Sequence, residues 1–120
     1  MRLTSSRIPR WQRRALFNAP LHRRGELMAA RLSEELAKAF KKRSAPVRKG
    51  DTVEIMRGDF AGHKEKITEV DRKKYRVYIK GVAHKNSKGA EKQMPVHPSN
   101  LRIIEMEGKD ERRKKSLARK

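Results

Sequence analysis

Four histidines, fourteen carboxylates and a few serines are the groups in this 120-residue chain that could move protons, hold a metal or attack a substrate. Their spacing supports none of these. His22, His63, His84 and His97 are scattered, with no carboxylate or thiolate at ligand spacing, and the chain has no cysteine. Thiolate metal sites and disulfides are therefore excluded. Asp51, Glu54 and Asp59 lie close in sequence, but their open, charged context gives no reason to expect the raised pKa that a general acid needs near neutrality. Ser33 and Ser44 have no identifiable base. No G-x-x-x-x-G-K-[ST] phosphate loop occurs, and "RGDFAGH" is too short to imitate one. Its Arg57-Gly58-Asp59 matches an adhesion tripeptide, which three letters in a basic chain do not support. We expect no enzymatic activity, no metal, no cofactor and no small-molecule substrate.

The abundant chemistry is cationic. Lys and Arg number 33 against 14 Asp and Glu, a formal net charge of +19. A free compact protein repels itself at that charge, and a polyanion neutralises it. Nucleic acid fits better than an anionic membrane, because no stretch couples a strong apolar face to the charge. No apolar run has the length of a membrane span or a signal-peptide core, so a cytoplasmic setting is the expectation. In the first segment Arg7, Arg10, Arg13, Arg14, Arg23 and Arg24 are candidates for phosphate contact, since guanidinium forks match paired oxygens. Trp11 among them can stack on an unpaired base or fill an apolar recess. Further along, Lys49, Arg57, Lys64, Lys66, Arg72, Lys73 and Lys74 fall in or beside predicted loops. Gly58 and Gly62 let one loop bend and bring backbone amides near a partner.

Positioning these groups requires a scaffold. The basic excess is steepest in residues 1–46 and 108–120 and shallowest in 47–107. We therefore expect a basic arm, a folded unit and a basic tail over those three ranges. The arm should carry two short helices, roughly 20–29 and 34–42, split near Ala30 to Leu32, with Asn18 and Pro20 opening the first. Ser33 can cap the second, with Glu34 and Glu35 in its first turn. Leu32, Leu36 and Phe40 recur at helical spacing, facing either the middle domain or RNA. In the middle, "TVEIM", "KEKITEV", "YRVYIKGV" and Leu101 to Met106 read as strands, joined by a turn at "RGDFAGH" and a tight charged turn at "DRKK". Tyr75, Val77 and Ile79 should share a face. Val53, Ile55, Ile67, Val77, Ile79 and Ile103 are the expected core. Short strands with little helix predict a mainly β protein, a small SH3-like barrel, with an OB-like barrel as the alternative. Phe60 either plugs the barrel end or stacks on a base. The tail is either a short helix or ordered only on RNA.

Residues 47–82, "VRKGDTVEIMRGDFAGHKEKITEVDRKKYRVYIKGV", resemble a KOW motif, the RNA-binding hairpin of SH3-like barrels in ribosomal proteins and transcription elongation factors. The flanks narrow the likeness. "FNAPLHRR" (17–24), "LSEELAKAF" (32–40), "RSAPVRKGD" (43–51) and "MPVHPSNLRI" (94–103) resemble the archaeal and eukaryotic family of large-subunit ribosomal protein twenty-four, from about Ala15 to Arg113. The resemblance implies a protein that binds large-subunit ribosomal RNA near its beginning, acts early in subunit assembly and lies near the exit of the polypeptide tunnel, without enzymatic activity or cofactor. It implies RNA contact by the loop Arg57 to Lys64, including His63, and by "NAPLHRR", including Asn18 and His22. "HPSN", with His97 and Asn100, also matches the family. Neighbouring ribosomal proteins are expected partners, and no homo-oligomer is expected. One departure stands out. KOW motifs commonly place a glycine where this chain has Glu65, which argues against close backbone approach to RNA there while leaving β geometry intact.

A KOW-type transcription elongation module is the alternative function. A Tudor-type module would need more converging aromatics than Phe60, Tyr75 and Tyr78 supply. A DNA architectural protein would share the electrostatics, since counterion release operates on both polymers.

Overall fold

Strands β3 (Thr52–Ile55) and β5 (Arg76–Ile79) bury every second residue, the alternation expected of a sheet with one covered face. The computed structural model describes residues 3–119. In chain order the remaining elements are α1 (Pro9–Asn18), α2 (Leu21–Leu27), β1 (Ala29–Leu32), α3 (Glu34–Phe40), β2 (Ser44–Pro46), β4 (Lys64–Asp71), β6 (Ala83–Lys85), β7 (Glu91–Gln93), a 3-10 turn (Pro98–Asn100), β8 (Leu101–Glu105) and α4 (Glu111–Ala118). Six strands form one sheet in the order β2-β1-β8-β3-β4-β5, and β6 and β7 form a separate hairpin. β1 runs parallel to β8, whereas the other pairings are antiparallel. The β4–β5 register shifts between Ile67 and Glu69, an irregularity of the kind that sharpens twist.

Val53, Ile55, Ile67, Val77, Ile79 and Ile103 are all buried, as their spacing predicts, and Met28, Leu32, Val82 and Leu101 join them in one cluster. Fully burying such side chains contributes about 1.5–3 kcal/mol each. Leu36 and Phe40 pack against this core, which settles the direction of the α3 stripe. The Ser33 side chain accepts from the Leu36 amide and caps α3 as expected.

Four expectations need correction. The helix expected over 20–29 stops at Leu27, and Ala29–Leu32 is a strand. Alanine and leucine favour helix locally, but pairing with both β2 and β8 buries Ala30 and Leu32, and tertiary context overrides propensity. A helix over Pro9–Asn18 was not expected; Pro9 opens it, where a missing amide costs nothing, and Asn18 closes it rather than opening α2. Tyr75 sits in the turn before β5 with φ of 55°, although it is buried with Val77 and Ile79. With four helices, helix and strand occupy comparable shares of the chain, so the barrel-like sheet is less dominant than a mainly β reading implies.

The first and last helices are fastened to the sheet. The Tyr75 hydroxyl donates to the Leu16 carbonyl at 2.5 Å, tying α1 to the β4–β5 turn. Arg24 lies 5.1 Å from the Tyr75 ring centroid and donates through Nε to Ala19, and through its terminal nitrogens to the Phe17 and Lys73 carbonyls. At the other end, the tail is a helix. Asp110 caps α4 by accepting from the Arg112 and Arg113 amides. Arg113 then makes a two-pronged pair with Asp51 at 2.6 and 2.5 Å, and Leu117 enters the core. Asp51 is 0% exposed, and its oxygens also accept from the Arg48 and Glu107 amides. That is the satisfaction a buried carboxylate requires.

Candidate nucleic-acid interface

The loop between β3 and β4 is closed at its base by backbone bonds. Ile55 donates to the His63 carbonyl at 3.0 Å, and Gly62 donates to the Ile55 carbonyl at 2.7 Å. Such a tight closure needs left-handed backbone, and Gly58 and Gly62 supply it with φ of 96° and 88°. A Cβ at either would meet no heavy atom within 4 Å, so both backbones face open space. Glycine there serves conformation, and it leaves the peptide accessible.

Arg57, Gly58 and Phe60 face Pro95, His97 and Asn100 across a cleft of about 300 Å³. Two blocks some forty residues apart in sequence thus form one surface. The Met56 amide donates to the Asn100 carbonyl at 2.9 Å, which couples the loop base to the 3-10 turn. His97 caps that turn, its Nδ1 accepting from the Ser99 amide at 3.2 Å. Desolvation, with the positive charge of Arg76 second, holds the His97 imidazole below the ordinary histidine pKa. A neutral ring keeps the acceptor lone pair that the cap uses. Phe60 packs against the core, its ring edge-on to His63 with centroids 6.5 Å apart. His63 is itself engaged, with Nε2 3.2 Å from the Lys80 carbonyl oxygen. Glu65 is an ordinary strand residue opposite Val53, so the missing glycine does not disturb the hairpin.

Arg72, Lys73 and Lys74 occupy the turn at the other end of β4, where Asp71 Oδ1 accepts from the Lys73 and Lys74 amides. The eight residues of β4 separate this turn from the first loop, a span of about 25 Å at strand rise. The predicted loop cations therefore form two groups at opposite ends of one strand. Lys49 and Arg72 line a second recess with Lys109 and Asp110. Lys64 and Lys66 are exposed along β4. On the helices and the segment before them, Arg7, Arg10, Arg13, Arg14, Asn18, His22 and Arg23 are exposed. Arg10 and Arg14 hold their guanidinium carbons 5.4 and 5.2 Å from the Trp11 ring centroid, a cationic and aromatic unit on the surface of α1. Arg24 differs from its neighbours, because its fork is occupied by carbonyls of its own chain. Sequence reasoning missed that anchoring role, and it missed Tyr75 and the Asp51–Arg113 pair; a lone Tyr or Arg carries no local sign of a partner more than forty residues away.

No group of three or more His, Asp or Glu that could hold a metal occurs among the described residues. Nor is any described helix long and apolar enough to cross a membrane.

Cation-lined clefts and accessible glycine backbone on a six-stranded sheet flanked by short helices define a small, strongly basic protein. The family-level comparison agrees: the chain belongs to the family of ribosomal proteins described as L26 in eukaryotes and as the L24 type in archaea, whose model matches residues 6–120. It is also similar to large ribosomal subunit protein uL24 of Methanosphaera stadtmanae, 49% identical over 115 residues that cover 96% of this chain and 98% of that one. The family is one of ribosomal structural proteins, not enzymes.

Proposed function

We propose that this chain is a structural constituent of the large ribosomal subunit whose SH3-like barrel and basic extensions hold ribosomal RNA. The observation that carries the reading is the convergence of Arg57 and Gly58 with His97 and Asn100 on one open cleft, in a chain of net charge +19. Arg57, Lys64 and Lys66 act as phosphate contacts on one side of the barrel, and Arg72, Lys73, Lys74 and Lys49 on the other. Gly58 and Gly62 admit the RNA backbone. The exposed arginines of α1 and α2 and the Asn18–His22 stretch lie along a further RNA segment, with Trp11 available to an unpaired base. Binding trades self-repulsion for phosphate neutralisation. The family likeness extends the reading to early subunit assembly, a place near the polypeptide exit, neighbouring ribosomal proteins as partners, and a cytoplasmic setting.

Sedimentation of a cell extract at physiological salt tests it. The protein should travel with large ribosomal subunits. Recovery with free soluble protein or with chromatin would sink the proposal.

A further inference from the structure

The outer row of the sheet runs Ser44, Arg31, Arg102, Glu54, Lys64 across five adjacent strands, each residue in direct register with the next. Arg31 and Arg102 are therefore side by side on neighbouring strands. Like charges directly opposite one another destabilise a free sheet. Arg102 is relieved by Glu54, to which it donates at 2.5 Å. Arg31 has no ion pair or side-chain hydrogen bond among the described residues, and neither has Arg43, which flanks β2.

These groups line one groove of about 650 Å³ together with Ser44 and Ser99, with Glu34 its acidic member. The Arg102 Nε is the one buried side-chain polar atom among the described residues that lacks a hydrogen-bond partner. The unpaired Arg31 and Arg43 forks, with the Ser44 hydroxyl beside them, match the oxygens of consecutive phosphodiesters better than an apolar ligand, while Arg102 already pairs with Glu54 and the Ser99 hydroxyl with His97. Ser99 belongs to the 3-10 turn whose His97 and Asn100 face the loop cleft, so the turn divides two surfaces. Lys64, at the end of the same row, adjoins the loop.

We infer that the Arg31–Arg43–Arg102 groove is an additional docking site for the ribosomal RNA backbone, separate from the surfaces named above and reached along the same sheet face as the β3–β4 loop cleft. The inference rests on the RNA-binding reading above. Phosphates seated there neutralise Arg31 and Arg43, removing the repulsion that the free sheet carries.

The experiment uses the full chain and deproteinised large-subunit ribosomal RNA over a series of potassium chloride concentrations. Arg31 and Arg43 are exposed, so an R31Q/R43Q double variant should fold, and circular dichroism verifies it. Each lost phosphate contact should flatten the plot of log affinity against log salt by about 0.7–0.9, a change of about 1.5 for the pair. Because the chain lacks cysteine, Ser44→Cys and Ala61→Cys variants each offer a single attachment point for an iron chelate that cleaves nearby RNA. Discrete cleavage from both positions, at different nucleotides, supports two sites. A wild-type slope for R31Q/R43Q, with cleavage from position 61 but none from 44, overturns the groove and leaves the loop reading standing. Cross-linking of position 44 in intact subunits to an acidic protein segment and not to RNA also overturns it. Failure of the unaltered chain to bind the RNA would remove the general reading, and the groove with it.

Discussion

Asp51 shows most sharply what a single residue decides in this molecule. Its carboxylate is wholly buried and is met by the Arg113 fork and two amides. Replacing one member leaves the other charged and unpaired in the interior. Arg113→Met should therefore lower unfolding stability by about 3–5 kcal/mol, read from the urea midpoint. A loss below about 1 kcal/mol would mean that α4 is not held by this pair. The double replacement Asp51→Leu, Arg113→Met should recover much of the loss, because matched apolar groups carry no desolvation penalty. His97 is a second decisive residue, with an opposite pH sense from a stabilised cation. Its folded pKa lies below the unfolded value, so as pH falls the unfolded chain takes up the proton first. The stability it contributes is present above about pH 6.5 and is lost as pH falls through the folded pKa. The NMR titration midpoint of His97 should be lower in the folded chain than in the same chain in urea. An equal or higher midpoint would contradict the desolvation of the ring and its closeness to the Arg76 charge.

At the scale of elements, α1 and α2 differ in what their arginines do. Arg24 ties three carbonyls together and covers the Tyr75 ring, joining helix to hairpin, whereas Arg23 is exposed beside it. Arg24→Gln should destabilise the free chain by about 1–3 kcal/mol, while Arg23→Gln should stay within about 0.5 kcal/mol. Thermal and urea unfolding of the two variants decides this, and equal losses would defeat the distinction. The contrast also shows how far the elements were legible in the residues. The β3–β4 hairpin, the α3 cap and the core of β5 and β8 follow from alternation, from Ser33 and from apolar spacing, which are local signals. β1 was not legible, because "AARL" becomes a strand only through its neighbours on both sides. α1 was hidden behind its charge: Pro9 at the helix start and the Ala15–Leu16 stretch are helix signals, but the dense arginine suggested an arm. Tyr75 was misplaced for a different reason. A left-handed turn is expected at Gly or Asn, and here the Leu16 hydrogen bond and burial hold a tyrosine in that conformation. The candidate site was legible as a set of cations and glycines; its division between the two ends of β4 was not, since that is a property of the paired strand.

For the whole molecule, that division has an energetic consequence. Arg57 lies on the loop before β4 and Lys73 on the turn after it, about 25 Å apart along the strand. This exceeds the Debye length of about 8 Å at physiological salt, so neither charge feels the other appreciably in the free protein. If both touch RNA, they touch different phosphates. Arg57→Gln and Lys73→Gln should each reduce RNA affinity and flatten its salt dependence by about 0.7–0.9. Their free-energy effects should then add within about 0.3–0.5 kcal/mol in the double variant. The free chain should respond to salt in the opposite sense: screening relieves the repulsion of +19 charges, so urea unfolding should require more denaturant at about 0.5 M potassium chloride than at about 0.05 M. Binding that weakens with salt while the fold strengthens identifies phosphate neutralisation, rather than salt-induced unfolding, as the cause of release. Strong non-additivity of the two substitutions would place both ends of β4 on one shared RNA feature and require the RNA to follow the whole strand. Additivity fixes two separate footholds on a surface as long as the strand itself.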